Sequence, residues 1–142
     1  MIEELSQEES RKLLSEQFVA RLGCVLIGGE PYVVPVNYLF KGGFIFIHSS
    51  PGLKVEALRA NPKACIQVDD IESFFEWRSA IAFGEFEEIT DAAEREEFLS
   101  EMMARFPKLT PVETVVKPEE SAPAEMVLFR IRIKRITGTT EN

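Results

Sequence analysis

Histidine occurs once in this chain, at position 48, and tryptophan once, at position 77. Cysteine occurs twice, at positions 24 and 65. One histidine and two cysteines cannot furnish the four ligands of a structural zinc site, and any serine–histidine–carboxylate triad would have to be built on His48. No apolar run reaches the about 18 residues that a membrane-spanning helix needs. Cations are scarce as well: 16 Lys and Arg stand against 24 Asp and Glu, for a net charge of -8. A chain so acidic lacks the basic face that nucleic-acid phosphates require. There is no G-x-G-x-x-G turn, no Walker A sequence, no internal repeat and no alternation of strands with helices that would build a parallel sheet. The opening MIEELSQEESRK is acidic and polar, the opposite of a secretory leader. Cys24 and Cys65 sit singly in apolar strand-like runs, which reads as reduced, buried thiols in a cytoplasmic protein.

The chain does have apolar material for a core. Of its 142 residues 45% are hydrophobic, enough for one domain over 1–142 without a disulfide or metal staple. The negative charge is concentrated in three stretches, 1–16, 85–101 and 113–125. Together they carry more negative charge than the whole chain, so the remainder is net positive. An anionic ligand is compatible with that remainder.

Ser6-Gln-Glu-Glu9 reads as a capping box, opening a helix to about residue 17 with Leu13, Leu14 and Phe18 on its apolar stripe. Strands are expected over 20–27, 31–40, 44–48, 63–70, 77–89 and 126–136, separated by Gly28-Gly29, Lys41-Gly42-Gly43 and other breaks. Pro31 begins the second strand and Pro35 marks an edge or bulge, because a proline has no N–H for a central ladder. A short helix runs over 52–60 and stops at Asn61-Pro62. Asp91-Ala-Ala-Glu94 opens another to about Phe106, with Phe98, Leu99 and Met102 inward. Residues 107–125 hold four prolines and no period, and read as an irregular connection. In the last strand Val127, Phe129, Ile131 and Ile133 face one way, and Arg130, Arg132 and Lys134 the other. Six antiparallel strands with flanking helices make a mainly β fold, a closed or split β-barrel.

Three stretches carry candidate chemistry. In FIFIHSSPGLKVEALRANP a strand runs into Ser49-Ser50-Pro51-Gly52 and then a helix. The first helical amides have no internal partner and share the positive end of the dipole, and Lys54 adds an ammonium. With the Ser49 and Ser50 hydroxyls this is a phosphate site, or else an ordinary helix cap beside a solvated lysine. In PVNY, Pro35 interrupts the ladder, so backbone near Val36, Asn37 and Tyr38 is free for the edge of a planar ligand, or the strand is simply bulged. In WRSAIAFGE, Trp77, Arg78 and Ser79 can line a cavity, or Trp77 is a core or interface aromatic. Gly84 permits close backbone approach. His48, sharing a face with Phe44 and Phe46, is either structural, a ligand contact, a proton donor or a haem ligand.

Taken in order, GCVLIGGEPYVVPVNYLF, GGFIFIHSSPGLKVEALRANPKACIQVDD and WRSAIAFGEFEEITD resemble the FMN-binding split-barrel family related to pyridoxamine 5′-phosphate oxidase, most of all its nitroimidazole-resistance-protein branch. The resemblance implies a six-stranded barrel that forms a homodimer, with one FMN in each of two clefts between subunits. It implies phosphate contacts from Lys54, Ser49 and Ser50. It further implies backbone contact to the flavin ring from Pro35, Val36, Asn37 and Tyr38, a ring-edge contact from Ser79 with Trp77 and Arg78 nearby, and His48 beside flavin and substrate as the catalytic candidate. The implied activity is FMN-dependent oxidation or reduction of a small molecule, with a nicotinamide electron donor as a further partner and no nucleic acid, membrane or metal. The chain ends IKRITGTTEN, without the basic, histidine-containing tail of the classical oxidase, so oxidation of pyridoxamine phosphate is not expected. Arg59 or Arg78 would have to supply a second cation at the phosphate. Alternatives are haem binding or breakdown through His48, and a non-catalytic module holding FMN or a deazaflavin.

Overall fold

Short-range signals account for the ends of most elements, and strand alternation for the core. A computed structural model describes residues 1–106 and 126–142. The irregular connection expected over 107–125 lies outside the described residues. Among these the order is β1 (Ile2–Glu4), α1 (Gln7–Glu16), β2 (Val19–Val25), β3 (Pro31–Asn37), β4 (Leu39–Lys41), β5 (Phe44–Ser49), α2 (Leu53–Ala60), β6 (Lys63–Ser73), β7 (Glu76–Glu88), α3 (Ala92–Arg105) and β8 (Val127–Glu141). The capping box forms as expected: Glu9 N–H donates to Ser6 Oγ (3.1 Å) and Ser6 N–H to Glu9 Oε1 (3.3 Å). Asp91 caps α3 through Glu94 N–H (3.1 Å).

The strands form one antiparallel sheet ordered β3-β2-β6-β7-β8-β5-β4, with β1 on β8. That is eight strands among the described residues, where six were expected. One addition is β1, three residues with no apolar alternation. The other comes from the expected strand 31–40, which breaks at Tyr38 into β3 and β4. The first and last strands of the sheet are therefore consecutive in the chain, and the sheet curls into a split barrel around that corner. Tyr38 is fully buried and its hydroxyl donates to the Leu14 carbonyl, one of the carbonyls that the end of α1 leaves without a helical partner.

Alternation sorts the strands into two faces. Ala20, Leu22 and Cys24 of β2, Ile66 and Val68 of β6, Ala80 and Ala82 of β7, and Ile45 and Ile47 of β5 all point into one core with Leu13, Leu14, Val55 and Leu58. β8 contributes Val127, Phe129 and Ile131, then changes parity to Ile136. The cause is a bulge, where the β7–β8 register shifts between Phe83 and Gly84. A Cβ on Gly84 would collide with the Arg132 carbonyl, so only glycine fits there. On the other face α3 sets Phe98 and Met102 against Ile89 and Leu128. Leu99 is half-buried there. Phe18 departs from expectation. It lies beyond the end of α1 and is 54% exposed, with its ring against Phe106 and the Arg105 guanidinium 4.5 Å from its centroid.

Candidate functional site

The strand-to-helix turn after β5 is the most distinctive site. Gly52 precedes α2 in extended backbone and no side chain caps the helix, so its first amides keep their donors unused by side chains. Lys54 lies half-buried in the first turn. Burial holds its ammonium below the usual lysine range, and the nearby Cys24 thiol partly offsets this. Among the described residues Lys54 has neither an ion pair nor a hydrogen bond, in a chain where Arg59, Arg78, Arg130 and Lys134 are all paired. A half-buried cation without a counter-ion beside open helical amides is suited to an incoming anion.

The serines divide. Ser50 is exposed beside this turn. Ser49 is buried, and its hydroxyl donates to the Ser50 carbonyl (2.7 Å), which leaves its oxygen able to accept but removes its proton from a ligand. His48 is half-buried on β5 opposite Leu128. Its Nδ1 is buried without a hydrogen-bond partner. Burial, then the Lys54 charge, lowers its pKa below the usual 6.5, so the imidazole is neutral at pH 7. The same Lys54 charge acts on Cys24, whose thiol is pushed up chiefly by burial. His48, Lys54 and Cys24 thus share one electrostatic neighbourhood. The thiols are free, but only Cys24 is buried. Cys65 is half-exposed on the opposite sheet face, contrary to the expectation of two buried thiols.

The PVNY stretch is the sheet's edge. Pro35 is exposed opposite Arg21, Val36 is in the core, and Asn37 is half-buried opposite Val19. The Tyr38 side chain is committed to the core, and its carbonyl accepts from Arg105 Nε (3.1 Å). Only backbone at the earlier positions is left to meet a ligand.

The WRS stretch alternates across the sheet. Arg78 points away from its neighbours and pairs with Asp70 at 2.7 Å. Arg59 is held by both oxygens of Glu88 (2.8 and 3.0 Å), so neither arginine is placed as a second cation beside Lys54. Trp77 and Ser79 line a cavity of about 660 Å³ with Gln67, Asp69, Ile71 and Phe74. The Gln67 amide donates to Ser79 Oγ and Asp69 Oδ2, both at 3.0 Å, and Arg21 approaches the same Asp69 oxygen at 3.4 Å. Gln67 and Asp69 were not singled out from the sequence. The signal was there: Ala64, Ile66 and Val68 point inward, which sends Cys65, Gln67 and Asp69 to the face that carries Trp77 and Ser79.

The predicted residues therefore fall into two groups. Lys54 and Cys24 belong to the side where α2 packs on the core, and His48, on the β5 face that it shares with Phe46, feels the Lys54 charge. Trp77, Ser79, Pro35 and the Gln67–Asp69 network stand on the outer face of β3-β2-β6-β7. That outer face also exposes Val19, Val33 and Ile71, with Phe74 (91% exposed) and Phe75 at the hairpin tip between β6 and β7.

Comparison with known proteins matches this architecture. A FAD-binding protein from Mesorhizobium loti superimposes with a TM-score of 0.86 at 30% identity, covering 100% of this chain and 99% of that one. A candidate 5-nitroimidazole antibiotic resistance protein from Bacteroides thetaiotaomicron has the same fold, with a TM-score of 0.77 at 21% identity over 99% and 87% of the chains. So does the flavocytochrome Anf3 of Azotobacter vinelandii, with a TM-score of 0.72 at 21% identity over 96% and 68%. An uncharacterized protein of Rhizobium meliloti, RA0666, is 32% identical over 85 residues, which span 60% of this chain and 56% of that protein. The sequence profile described as pyridoxamine 5′-phosphate oxidase matches residues 6–140. With nearly the whole domain inside that match, the chain belongs to the pyridoxamine 5′-phosphate oxidase family.

Proposed function

We propose that this chain binds FMN, that two copies assemble with one flavin in each of two clefts between them, and that the dimer is a cytoplasmic oxidoreductase acting on a small molecule. The observation that carries the proposal is Lys54: a half-buried cation without a partner among the described residues, set beside helical amides that no side chain caps. A phosphate ester would satisfy both at once. One cation and one helix terminus suit a single phosphate, since Arg59 and Arg78 are committed elsewhere. The flavin binding of the Mesorhizobium relative supports the cofactor class. The dimer is supported by the exposed apolar residues of the outer face, and by the separation of the two residue groups, which a second copy can bring to one ligand.

When bound, the flavin would supply the electron-transfer chemistry that no side chain here provides. Lys54, Ser50 and the α2 amides would hold the phosphate. Backbone of β3 near Val36 and Asn37 would meet the ring edge. His48, neutral at pH 7 with Nδ1 unpaired, would hold or release a proton beside the substrate. The same free imidazole supports haem ligation as a second reading.

The test is titration of the purified protein with FMN, FAD and haem in parallel, followed by flavin fluorescence and the haem absorption band. Tight, stoichiometric FMN binding with weaker FAD binding is expected. A His48-dependent haem band with no flavin uptake would overturn the proposal. Flavin binding without turnover of NADH or NADPH with any acceptor would reduce the protein to a flavin-holding module.

A further inference from the structure

We propose that Arg105 is a positioning residue for the flavin ring, a clamp that holds the backbone of β3 where the ring edge would meet it. The inference rests on the flavin reading for its meaning at the site, but the clamp itself is built from this chain alone. β3 lies at one border of the sheet and is paired only with β2. Its last ladder residue is Asn37, opposite Val19, the first residue of β2. Both strands leave the sheet there, β3 into the corner at Tyr38 and β2 back towards the end of α1. A border ladder that stops at such a point frays first, because its last pair is held from one side only.

Arg105 closes that open end. It is the last residue of α3 and is half-buried, and its guanidinium spans the gap with two N–H groups. Nε donates to the Tyr38 carbonyl at 3.1 Å, one residue beyond Asn37. Nη2 donates to the Gln17 carbonyl at 2.5 Å, two residues before Val19. Gln17 is the C-cap of α1, so this carbonyl has no helical partner. One planar fork ties both strands of the terminal pair to α3, which a single-point ammonium could not do. The guanidinium is also surrounded by aromatic carbon: its centre lies 4.5 Å from the centroid of the Phe18 ring, 5.5 Å from that of Phe106 and 5.9 Å from that of Tyr38. These rings fix it in place. The backbone that it immobilises, Val36 to Tyr38, is the stretch proposed to meet the flavin. A ligand that finds this backbone already ordered is spared the cost of ordering it.

The test compares FMN with riboflavin, which has the same ring and no phosphate, in the wild-type protein, Arg105→Met and Arg105→Lys. Binding is followed by flavin fluorescence, well below each protein's melting temperature. Arg105→Met should weaken both ligands by the same factor, about tenfold, and move the absorption band of the bound ring towards that of free flavin. Arg105→Lys keeps the charge but cannot span two carbonyls, so it should recover only part of that loss. Lys54→Met, by contrast, should weaken FMN and spare riboflavin. Unchanged riboflavin affinity and spectrum in a folded Arg105 variant overturn the clamp, as does a loss confined to FMN. Should Arg105→Met not fold, Arg105→Lys decides by the same two readouts. Should riboflavin not bind the wild-type protein, amide exchange of the flavin-free protein decides: Arg105→Lys should speed exchange in 17–20 and 34–38, and equal rates overturn the clamp. If FMN does not bind either, the flavin reading fails separately.

Discussion

Replacing Lys54 by methionine tests the phosphate anchor without disturbing packing, because the side-chain stem is kept and only the ammonium is lost. In the free protein that ammonium has no partner among the described residues, and its folded-state pKa lies below the usual 10.5 because of burial. A lysine with a depressed pKa is penalised in the fold while it is charged, and the penalty is relieved only as pH rises through the folded pKa. At neutral pH the substitution should therefore leave the melting temperature of flavin-free protein unchanged or raised. With a phosphate bound, the same ammonium makes a charge-assisted hydrogen bond, worth about 1.5–3 kcal/mol. Its loss should weaken FMN binding about 10- to 150-fold. Flavin fluorescence titrations and thermal melts on one preparation give both quantities. Wild-type affinity in the variant, or a melting temperature that falls in step with affinity, would refute the reasoning.

Three further outcomes follow from particular contacts. His48 titrates below 6.5 in the fold, so the unfolded chain holds more protons between that value and the lower folded pKa. Stability should then fall as pH drops below about 6.5, and His48→Gln should flatten that slope in urea unfolding; parallel slopes would count against a buried neutral imidazole. Tyr38→Phe removes the hydrogen bond to Leu14 and should lower stability by about 1–2 kcal/mol while leaving FMN affinity intact, since the side chain faces the core. A flavin defect in that variant would return Tyr38 to the site. Gly84→Ala forces a Cβ onto the Arg132 carbonyl and should cost at least about 2 kcal/mol in thermal or urea unfolding. A neutral result would mean that the bulge relaxes.

Much of the architecture was legible because its causes are local. The capping box at Ser6, the Asp91 cap (one half of the box expected there), the Asn61-Pro62 stop and the inward alternation of β8 each rest on a few adjacent residues. What escaped depends on partners distant in the chain. The break at Tyr38 is set by the Leu14 carbonyl and Arg105, and nothing within PVNYLF announces it. The final strand runs on through TGTTE, which lacks apolar residues, because β7 and β1 pair with it there. At the site, Lys54 and His48 were found from the strand-to-helix turn. Arg78 looked equivalent to Trp77 and Ser79 by position, yet strand alternation turns it to the other face. Gln67 and Asp69 gain meaning only through the register that sets Asp69 opposite Ser79.

The single-residue corner between β3 and β4 has a consequence for how the molecule can change. A curled sheet normally has two borders that can fray, lengthen or accept a foreign strand separately. Here both borders are continuous through Tyr38, so lengthening the turn between them would alter both margins at once. The seam of the barrel is therefore the least forgiving place for an insertion.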